Sequence, residues 1–307
     1  MQILHTERLR LRWFRESDAG FVRRLLNEPS WIANIGDRQI HSDDDALDYI
    51  RGRLLANYWR QGFGFWAVER HEDGALIGMC GLTQRDSLPD PDVGYALLPA
   101  YWGRGYAREG AAACLAYARE VLGLRTLRAI TAPHNLASQR VLLDIGLVPA
   151  DPPRVRGEEG ESCAFVWHAT TAEPDDAGQI DALIGRFFAA FGNRGGALPT
   201  LAALPHACLP EARIQRCDAA GALTLDLHGF ITPRAELLAS GRLCEFEEHE
   251  TAARTDLAEG LAQRWSQYRK RGVLDGVPFE AEGRKAFQLV RTARGWKIAA
   301  LAWQDLA

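Results

Sequence analysis

The chain has 307 residues, of which 47% are hydrophobic and 25% charged, and its formal net charge is −4. This composition excludes a largely disordered chain and a basic nucleic-acid-binding module. No stretch approaches about 18 uninterrupted apolar residues, so we expect no transmembrane helix, and the length predicts two domains.

The first eight residues, Met-Gln-Ile-Leu-His-Thr-Glu-Arg, lack the basic region and apolar stretch of a secretory signal. We therefore expect a cytoplasmic protein with no membrane or nucleic-acid partner. Six cysteines are scattered, with no Cys-x-x-Cys pair and no Cys/His cluster of zinc spacing. This pattern predicts reduced thiols in the core and no bound metal.

A small, polar and acidic stretch at residues 169–178 separates an apolar run from an amphipathic one. Such a composition is typical of a linker and predicts domains at residues 1–170 and 177–307. A weaker linker candidate is the loop predicted at residues 151–160.

The first half alternates strand and helix patterns. A helix predicted to begin at Ser42 places Leu47, Ile50, Leu54 and Tyr58 on one face. A second helix follows residue 106, and Asn135 is predicted to cap a third that stops at Gly146. The strand patterns lie at residues 8–13, 63–68, 76–82, 93–97, 126–131, 147–148 and 163–167.

The strongest functional signal is Tyr-Trp-Gly-Arg-Gly-Tyr-Ala at residues 101–107, between a strand and a helix. Gly103 and Gly105 let the backbone pass close to a ligand, and the N–H groups at the helix start can converge on a pyrophosphate. Arg104 and Arg108 add charge-assisted contacts. The spacing fits neither a Walker loop nor a dinucleotide-binding fingerprint.

Four segments together resemble the GNAT superfamily of acetyl-CoA-dependent N-acetyltransferases, and more narrowly its RimJ/RimL branch. They are Thr-Glu-Arg-Leu-Arg-Leu at residues 6–11, Val-Gly-Tyr-Ala-Leu at 93–97, the glycine loop, and Asn-Leu-Ala-Ser-Gln-Arg-Val-Leu at 135–142 followed by Gly146-Leu147. Their order and spacing fit across residues 1–168. The resemblance implies a mixed sheet flanked by helices.

The resemblance also implies where acetyl-CoA lies as co-substrate. Two strands splay apart near Leu97 and Thr131, the pantetheine arm pairs with the first strand, and an amine arrives from the opposite face. Backbone N–H groups near Leu97 and Leu98 would hold the oxyanion. The implied cofactor-binding residues are Leu97, Leu98, Gly103, Arg104, Gly105, Tyr106, Ala107, Arg108 and Asn135.

Direct transfer requires that the attacking ammonium, with a pKa of about 8 for an α-amine or about 10.4 for a lysine, first loses a proton. Asp92 is the candidate base, acting directly or through water, and the alternative is a solvated turn residue. Ser138 is the candidate proton donor to the leaving thiolate, or else it supports the helix start. Asn135 is an N-cap with a contact to the pantetheine amide.

The second half resembles the nuclear-transport-factor-like (SnoaL-like) α+β cone. The resemblance rests on an opening helix at residues 180–191, a segment at 262–268, and a closing hairpin at 279–291 and 296–303. Other strands are predicted at residues 223–227, 243–251 and 257–268. The resemblance implies a curved antiparallel sheet around a small pocket. The residues that could line it, none assigned as catalytic, are Asp226, His228, Glu247, His249 and Arg254.

We therefore expect an α/β (α+β) fold class and an N-acetyltransferase that acetylates a small-molecule or peptide amine. The alternative is a catalytically silent acetyl-CoA-binding module in which the C-terminal cone domain recognises a ligand or partner. A third hypothesis gives the cone domain a separate reaction. Homodimerisation through the C-terminal domain is left open.

Overall fold

The computed structural model describes residues 1–157, 160–219 and 221–306. The chain forms two compact units, one of Met1–Tyr58 and Phe63–Thr171, the other of Trp59–Gly62 and Ala172–Ala307. Within the described ranges, no helix is long and apolar enough to cross a membrane.

The first unit contains an eight-stranded mixed sheet in the order β1-β2-β3-β4-β5-β6-β8-β7. Its strands are β1 (Gln2–His5), β2 (Leu9–Arg12), β3 (Phe65–Arg70), β4 (Leu76–Thr83), β5 (Asp92–Leu97), β6 (Thr126–Thr131), β7 (Val148–Gly157) and β8 (Gly160–His168). The helices of this part of the chain are α1 (Ala19–Leu26), α2 (Pro29–Ile35), α3 (Asp43–Tyr49), α4 (Ala56–Gln61), α5 (Tyr106–Glu120) and α6 (Leu136–Asp144).

Helix α3 begins as the sequence predicts. Ser42 accepts a hydrogen bond from the Asp45 backbone N–H, and the Asp45 side chain bonds back to the Ser42 N–H, which completes a capping box. The predicted face is buried at Ile50, Leu54 and Tyr58. One π-helical segment, Ile50–Leu55, interrupts the helix before α4, a feature that the periodicity did not indicate.

The weaker linker candidate at residues 151–160 is wrong for the described residues. Residues 148–157 form β7, which pairs antiparallel with β8, so the stretch belongs to the first sheet. Glu158 and Glu159 lie outside the described residues.

The second unit contains a six-stranded sheet in the order β10-β9-β14-β13-β12-β11, antiparallel except where β14 pairs parallel with β9. The strands are β9 (Cys208–Asp218), β10 (Gly221–Leu225), β11 (Leu243–Ala258), β12 (Leu261–Leu274), β13 (Val277–Thr292) and β14 (Gly295–Asp305). The helices are α7 (Asp176–Ala189), α8 (Leu204–Ala207) and α9 (Leu227–Ala239). Together with the first unit, this mixture of helices and mixed sheets confirms the predicted fold class.

Two predictions in the second half are wrong in detail. The strand predicted at residues 223–227 ends at Leu225, and Asp226 instead caps α9 by accepting the Gly229 N–H. The strand predicted at residues 257–268 is two strands, because Gly260, with φ +74°, turns the chain between β11 and β12.

The six cysteines are free, as predicted, but not all lie in the core. Cys80, Cys114 and Cys208 are buried, whereas Cys163 and Cys217 are half-buried and Cys244 is exposed. The expectation of core thiols is therefore wrong for Cys244.

Candidate functional site

Strands β5 and β6 separate soon after they meet. They pair in parallel at one register position, Asp92 opposite Arg128, where the Arg128 N–H donates to the Pro91 carbonyl at 2.9 Å. Among the described residues, no further ladder position joins the two strands. The rest of β5 therefore presents an open edge, as the resemblance implied for a strand ending near Leu97.

The open edge belongs to alternate residues of β5. The Leu98 N–H donates to the Ile77 carbonyl at 2.9 Å, so residues 94, 96 and 98 turn their backbone groups towards β4. Tyr95 and Leu97 then point theirs into the gap. The oxyanion role predicted for Leu98 is wrong for its backbone N–H, which is already bonded, and the Leu97 N–H is left as the candidate.

Trp102 occupies part of this edge. Its indole Nε1 donates to the Leu97 carbonyl at 2.7 Å, while the residue as a whole is 53% exposed. Beyond the position where β5 pairs with β6, Tyr95 therefore keeps both of its backbone groups open, and Leu97 keeps its N–H.

The glycine loop adopts the conformation that its sequence predicts. Gly103 has φ +71° and Gly105 φ +81°, both in the left-handed region where L side chains are strained. Gly105 is the N-cap of α5, so the first N–H groups of that helix have no partner within the helix. Arg104 and Arg108 are exposed, Ala107 is half-buried, and the Tyr106 side chain is buried.

Sequence reasoning missed the group that holds this loop. The Glu109 carboxylate accepts from the Thr6 hydroxyl at 2.5 Å, from the Arg8 backbone N–H at 2.8 Å and from Arg8 Nε at 2.7 Å. Arg8 Nη1 also donates to the Arg104 carbonyl at 2.9 Å. Burial opposes ionisation of Glu109, yet these hydrogen bonds hold its pKa below the ordinary value. Thr6 and Arg8 lie in the segment 6–11, but nothing in that segment indicated that Glu109 would be their partner.

Asp92 is the first residue of β5, and its carboxylate is 1% exposed. The solvated-turn alternative is therefore wrong. Both carboxylate oxygens accept from Arg85 Nε, at 3.1 and 3.0 Å. Burial raises the pKa of Asp92 to about 6, and the nearby Arg85 charge limits that rise. Asp92 is thus a buried carboxylate that is ionised at neutral pH and becomes protonated in mild acid.

Ser138 lies in the first turn of α6. Its backbone N–H donates to Asn135 Oδ1 at 3.0 Å, so Asn135 caps the helix as predicted. Its hydroxyl lies 3.0 Å from the Tyr95 hydroxyl, which also donates to the Ser138 carbonyl at 3.0 Å. Burial raises the pKa of Tyr95 above its ordinary value, so the phenol stays protonated. The structure thus brings Tyr95, which sequence reasoning did not single out, next to Ser138.

The two faces of β5 carry different groups. Side chains alternate along a strand, so Tyr95 and Leu97 share one face, and Asp92 shares the other with Gly94 and Ala96. Asp92 and the Tyr95–Ser138 pair are therefore on opposite faces.

The contacts of the five candidate residues of the second unit do not join them into one site, although Arg254 lines a cavity beside Trp265 and Arg284. Asp226 caps α9, and Glu247 accepts from Arg194 at 2.9 Å and from Arg271. His228 and His249 are exposed, and Arg254 pairs with Asp256 at 2.9 Å on the surface. Among the residues that the structure describes, no group of three or more His, Cys, Asp or Glu side chains is placed to hold a metal ion.

Comparison with known proteins identifies the first unit. The family model described as an acetyltransferase (GNAT) domain matches residues 8–148. The uncharacterized protein YkkB of Bacillus subtilis (strain 168) is 30% identical over 159 residues, which cover 47% of this chain and 84% of that protein. The N-terminal half of the chain is a GNAT-family acetyltransferase domain.

Two further proteins are similar to part of the chain. The FsC-acetyl coenzyme A-N(2)-transacetylase of Aspergillus fumigatus is 27% identical over 175 residues, covering 52% of this chain and 73% of that protein. A solved acetyltransferase from Agrobacterium tumefaciens strain C58 is 28% identical, covering 55% of this chain and 95% of that chain, with a TM-score of 0.47. The segment 8–148 includes β5, the glycine loop and α6.

Proposed function

We propose that the chain is an acetyl-CoA-dependent N-acetyltransferase in which a primary amine attacks the thioester directly within a ternary complex. The open edge of β5 beside the glycine loop carries this proposal. An extended chain with amide groups can add to such an edge as a strand would, and the unpaired N–H groups at the start of α5 suit a pyrophosphate. The name of the Aspergillus relative, an acetyl coenzyme A transacetylase, agrees with this substrate.

The pantetheine arm is assigned to Tyr95, whose two backbone groups face the gap. Trp102 occupies the Leu97 carbonyl, so Leu97 contributes only its N–H, at the thioester end of the arm. The pyrophosphate is assigned to the N–H groups of residues 103–107, with Arg104 and Arg108 adding charge. The capping bond uses one hydrogen bond of the Asn135 side chain. The remaining hydrogen-bonding capacity of its side-chain amide is assigned to the pantetheine amide.

The reaction forms one C–N bond and breaks one C–S bond. The neutral amine adds to the thioester carbonyl, whose oxyanion is assigned to the Leu97 N–H. The amine proton passes to the Asp92 carboxylate, which is ionised above a pH of about 6. The thiol, with a pKa of about 8.5, then leaves as the thiolate and accepts a hydrogen bond from Ser138.

With these roles, the C–S bond breaks on the face of β5 that carries Tyr95, next to Ser138. Because the pKa of Tyr95 is raised, the phenol does not give up its proton, and its part is to orient the Ser138 hydroxyl. The amine approaches from the face of Asp92, and a small-molecule amine and a peptide α-amine both meet this requirement.

The alternative function is a silent acetyl-CoA-binding module, with the second unit as a SnoaL-like recognition domain and a dimer interface. The helix α7 and the β13–β14 hairpin favour that likeness. The two functions differ in turnover and share the binding of acetyl-CoA.

A thermal-shift titration with acetyl-CoA tests the binding site first. Ligand bound only to the native state stabilises it by RT ln(1 + [L]/Kd), about 2.7 kcal/mol at a hundredfold excess over Kd. We expect Gly105→Glu to remove the shift, because it places a carboxylate in the anion site. Gly146→Glu is the matched control, since Gly146 also has positive φ (+95°) and is exposed. It follows the C-terminal end of α6, whereas Asn135 caps the N-terminal end.

Release of CoA in the presence of an amine panel tests turnover. A protein that binds acetyl-CoA but releases no CoA with any small amine or N-terminal peptide supports the silent module. No shift at millimolar acetyl-CoA contradicts both functions.

A further inference from the structure

The sheet of the second unit carries charged side chains on the face that also carries its core. Tyr268 and Lys270 of β12 point to this face, as do Lys285 and Phe287 of β13, since buried and exposed residues alternate along both strands. Tyr268, Lys285 and Phe287 are buried. Charges at such positions are costly unless they have partners.

Most of these charges have partners. The Lys285 ammonium donates to Glu248 and lies 3.7 Å from the centre of the Tyr268 ring. The Asp305 carboxylate accepts from Lys270 Nζ at 2.7 Å and from the Tyr268 hydroxyl at 2.5 Å. Each of the two carboxylates is therefore already bonded to a lysine.

Arg234 of α9 adds a third cation to this group. Its guanidinium carbon lies 4.0 Å from the centre of the Phe230 ring and 5.3 Å from that of Trp303. Its Nη1 donates to the Phe230 carbonyl at 2.8 Å. No carboxylate among residues 160–219 and 221–306 pairs with it, and its Nε and Nη2 have no acceptor there.

The surroundings of Arg234 make an unmatched charge costly. The side chain is half-buried, and burial lowers its pKa. Glu248 and Asp305 are near enough to act on its charge, but so is Arg216, which is itself paired with Asp218 at 3.0 Å. Three cations (Arg234, Lys270 and Lys285) thus share two carboxylates, and one positive charge remains.

We propose that the second unit binds a small organic carboxylate at the Nε–Nη2 edge of Arg234, beside the rings of Phe230 and Trp303. Those two nitrogens present parallel N–H groups, which match the two oxygens of a carboxylate. The fixed stacking on Phe230 and the bond from Nη1 hold this edge in place, so little side-chain entropy is lost on binding. The carboxylate supplies the missing negative charge.

The full-length chain is titrated with sodium benzoate, and separately with its neutral isostere benzamide, at constant ionic strength, with the unfolding temperature and calorimetry as readouts. We expect benzoate to bind in the millimolar range or tighter and benzamide at least about tenfold more weakly. Arg234→Gln removes this preference. Arg234→Lys keeps the positive charge but lacks the two parallel N–H groups, so it binds benzoate with intermediate affinity.

Arg242→Gln is the matched control, because Arg242 is an exposed arginine with a surface ion pair to Asp275 at 2.7 Å. It leaves benzoate binding unchanged. The proposal is overturned by equal affinities for benzoate and benzamide, by benzoate binding that persists in Arg234→Gln, or by the absence of benzoate binding to the wild-type chain in the millimolar range. If Arg234→Gln does not fold, Arg234→Lys decides by the same comparison.

Discussion

Replacement of Asp92 by asparagine separates the catalytic role of this side chain from its effect on stability. The carboxylate is 1% exposed, and its pKa of about 6 lies above the ordinary value of 3.8. Burial is the main cause, and the Arg85 charge opposes it. An amide of the same shape keeps an oxygen for Arg85 Nε and removes the buried negative charge.

The magnitude follows from proton linkage. The folded state holds the Asp92 proton more tightly than the unfolded chain, so Asp92 contributes most to stability below a pH of about 4, and that contribution is lost as the pH rises through about 6. The difference between the two pKa values corresponds to about 3 kcal/mol. As the pH rises from about 4 to about 8, we therefore expect the free energy of unfolding of Asp92→Asn to gain up to about 3 kcal/mol relative to that of the wild type.

Urea denaturation of both proteins across this pH range measures the difference, and release of CoA with an amine measures turnover. We expect the variant to be more stable at neutral pH, to bind acetyl-CoA normally and to lose at least about a hundredfold in turnover, as expected for loss of a general base. A stability difference independent of pH refutes the raised pKa. Unchanged turnover refutes the role as base.

Other side chains of the acetyltransferase domain give further tests. Tyr95→Phe and Ser138→Ala each lower kcat with little change in the KM for acetyl-CoA. The double variant has a kcat no lower than that of Ser138→Ala, because Tyr95 acts through Ser138. Steady-state kinetics that show additive losses contradict this coupling. Glu109→Gln, which weakens the bonds to Thr6 and Arg8, raises the Kd for acetyl-CoA in calorimetry, whereas an unchanged Kd shows that the loop holds its shape without them.

Local patterns in the first half predicted some of its elements, whereas β1, α1 and α2 were not predicted and a loop was predicted where most of β7 lies. Residues 126–131 form a strand with the predicted bounds, and Asn135 caps α6. Left-handed φ values at Gly103 and Gly105 follow directly from two glycines between a strand and a helix. These features depend on neighbouring residues, so the sequence contains the information needed to predict them.

The partners of the site residues could not be predicted in the same way. Glu109 and Arg8 are 101 positions apart, and only the pairing of β2 with β3 and the packing of α5 bring them together. Arg85 is closer to Asp92, seven positions away, and an antiparallel turn between β4 and β5 was the signal that could have paired them. Tyr95 belongs to the Val-Gly-Tyr-Ala-Leu segment, but its contact with Ser138 depends on where α6 lies.

In the second half, hydrophobic runs were ambiguous between strand and helix. Leu227 continued a strand pattern at residues 223–227, yet Asp226 followed three positions later by Gly229 forms an N-cap and starts α9. Pro233 inside α9 further weakened the helical signal. The turn at Gly260 was hidden by apolar residues at a spacing of four on both sides, a pattern that also fits a helix.

The geometry of β5 bears on whether Asp92 receives the amine proton directly. A strand rises about 3.3 Å per residue, so the Cα atoms of Asp92 and Tyr95 are about 10 Å apart along β5, and their side chains lie on opposite faces. An aspartate side chain spans only a small part of this distance. If the thioester lies beside Tyr95 and Ser138, the proton must pass through water between the amine and Asp92. We therefore expect a proton inventory of kcat in mixtures of H₂O and D₂O to require more than one transferred proton, and a linear inventory contradicts the water relay.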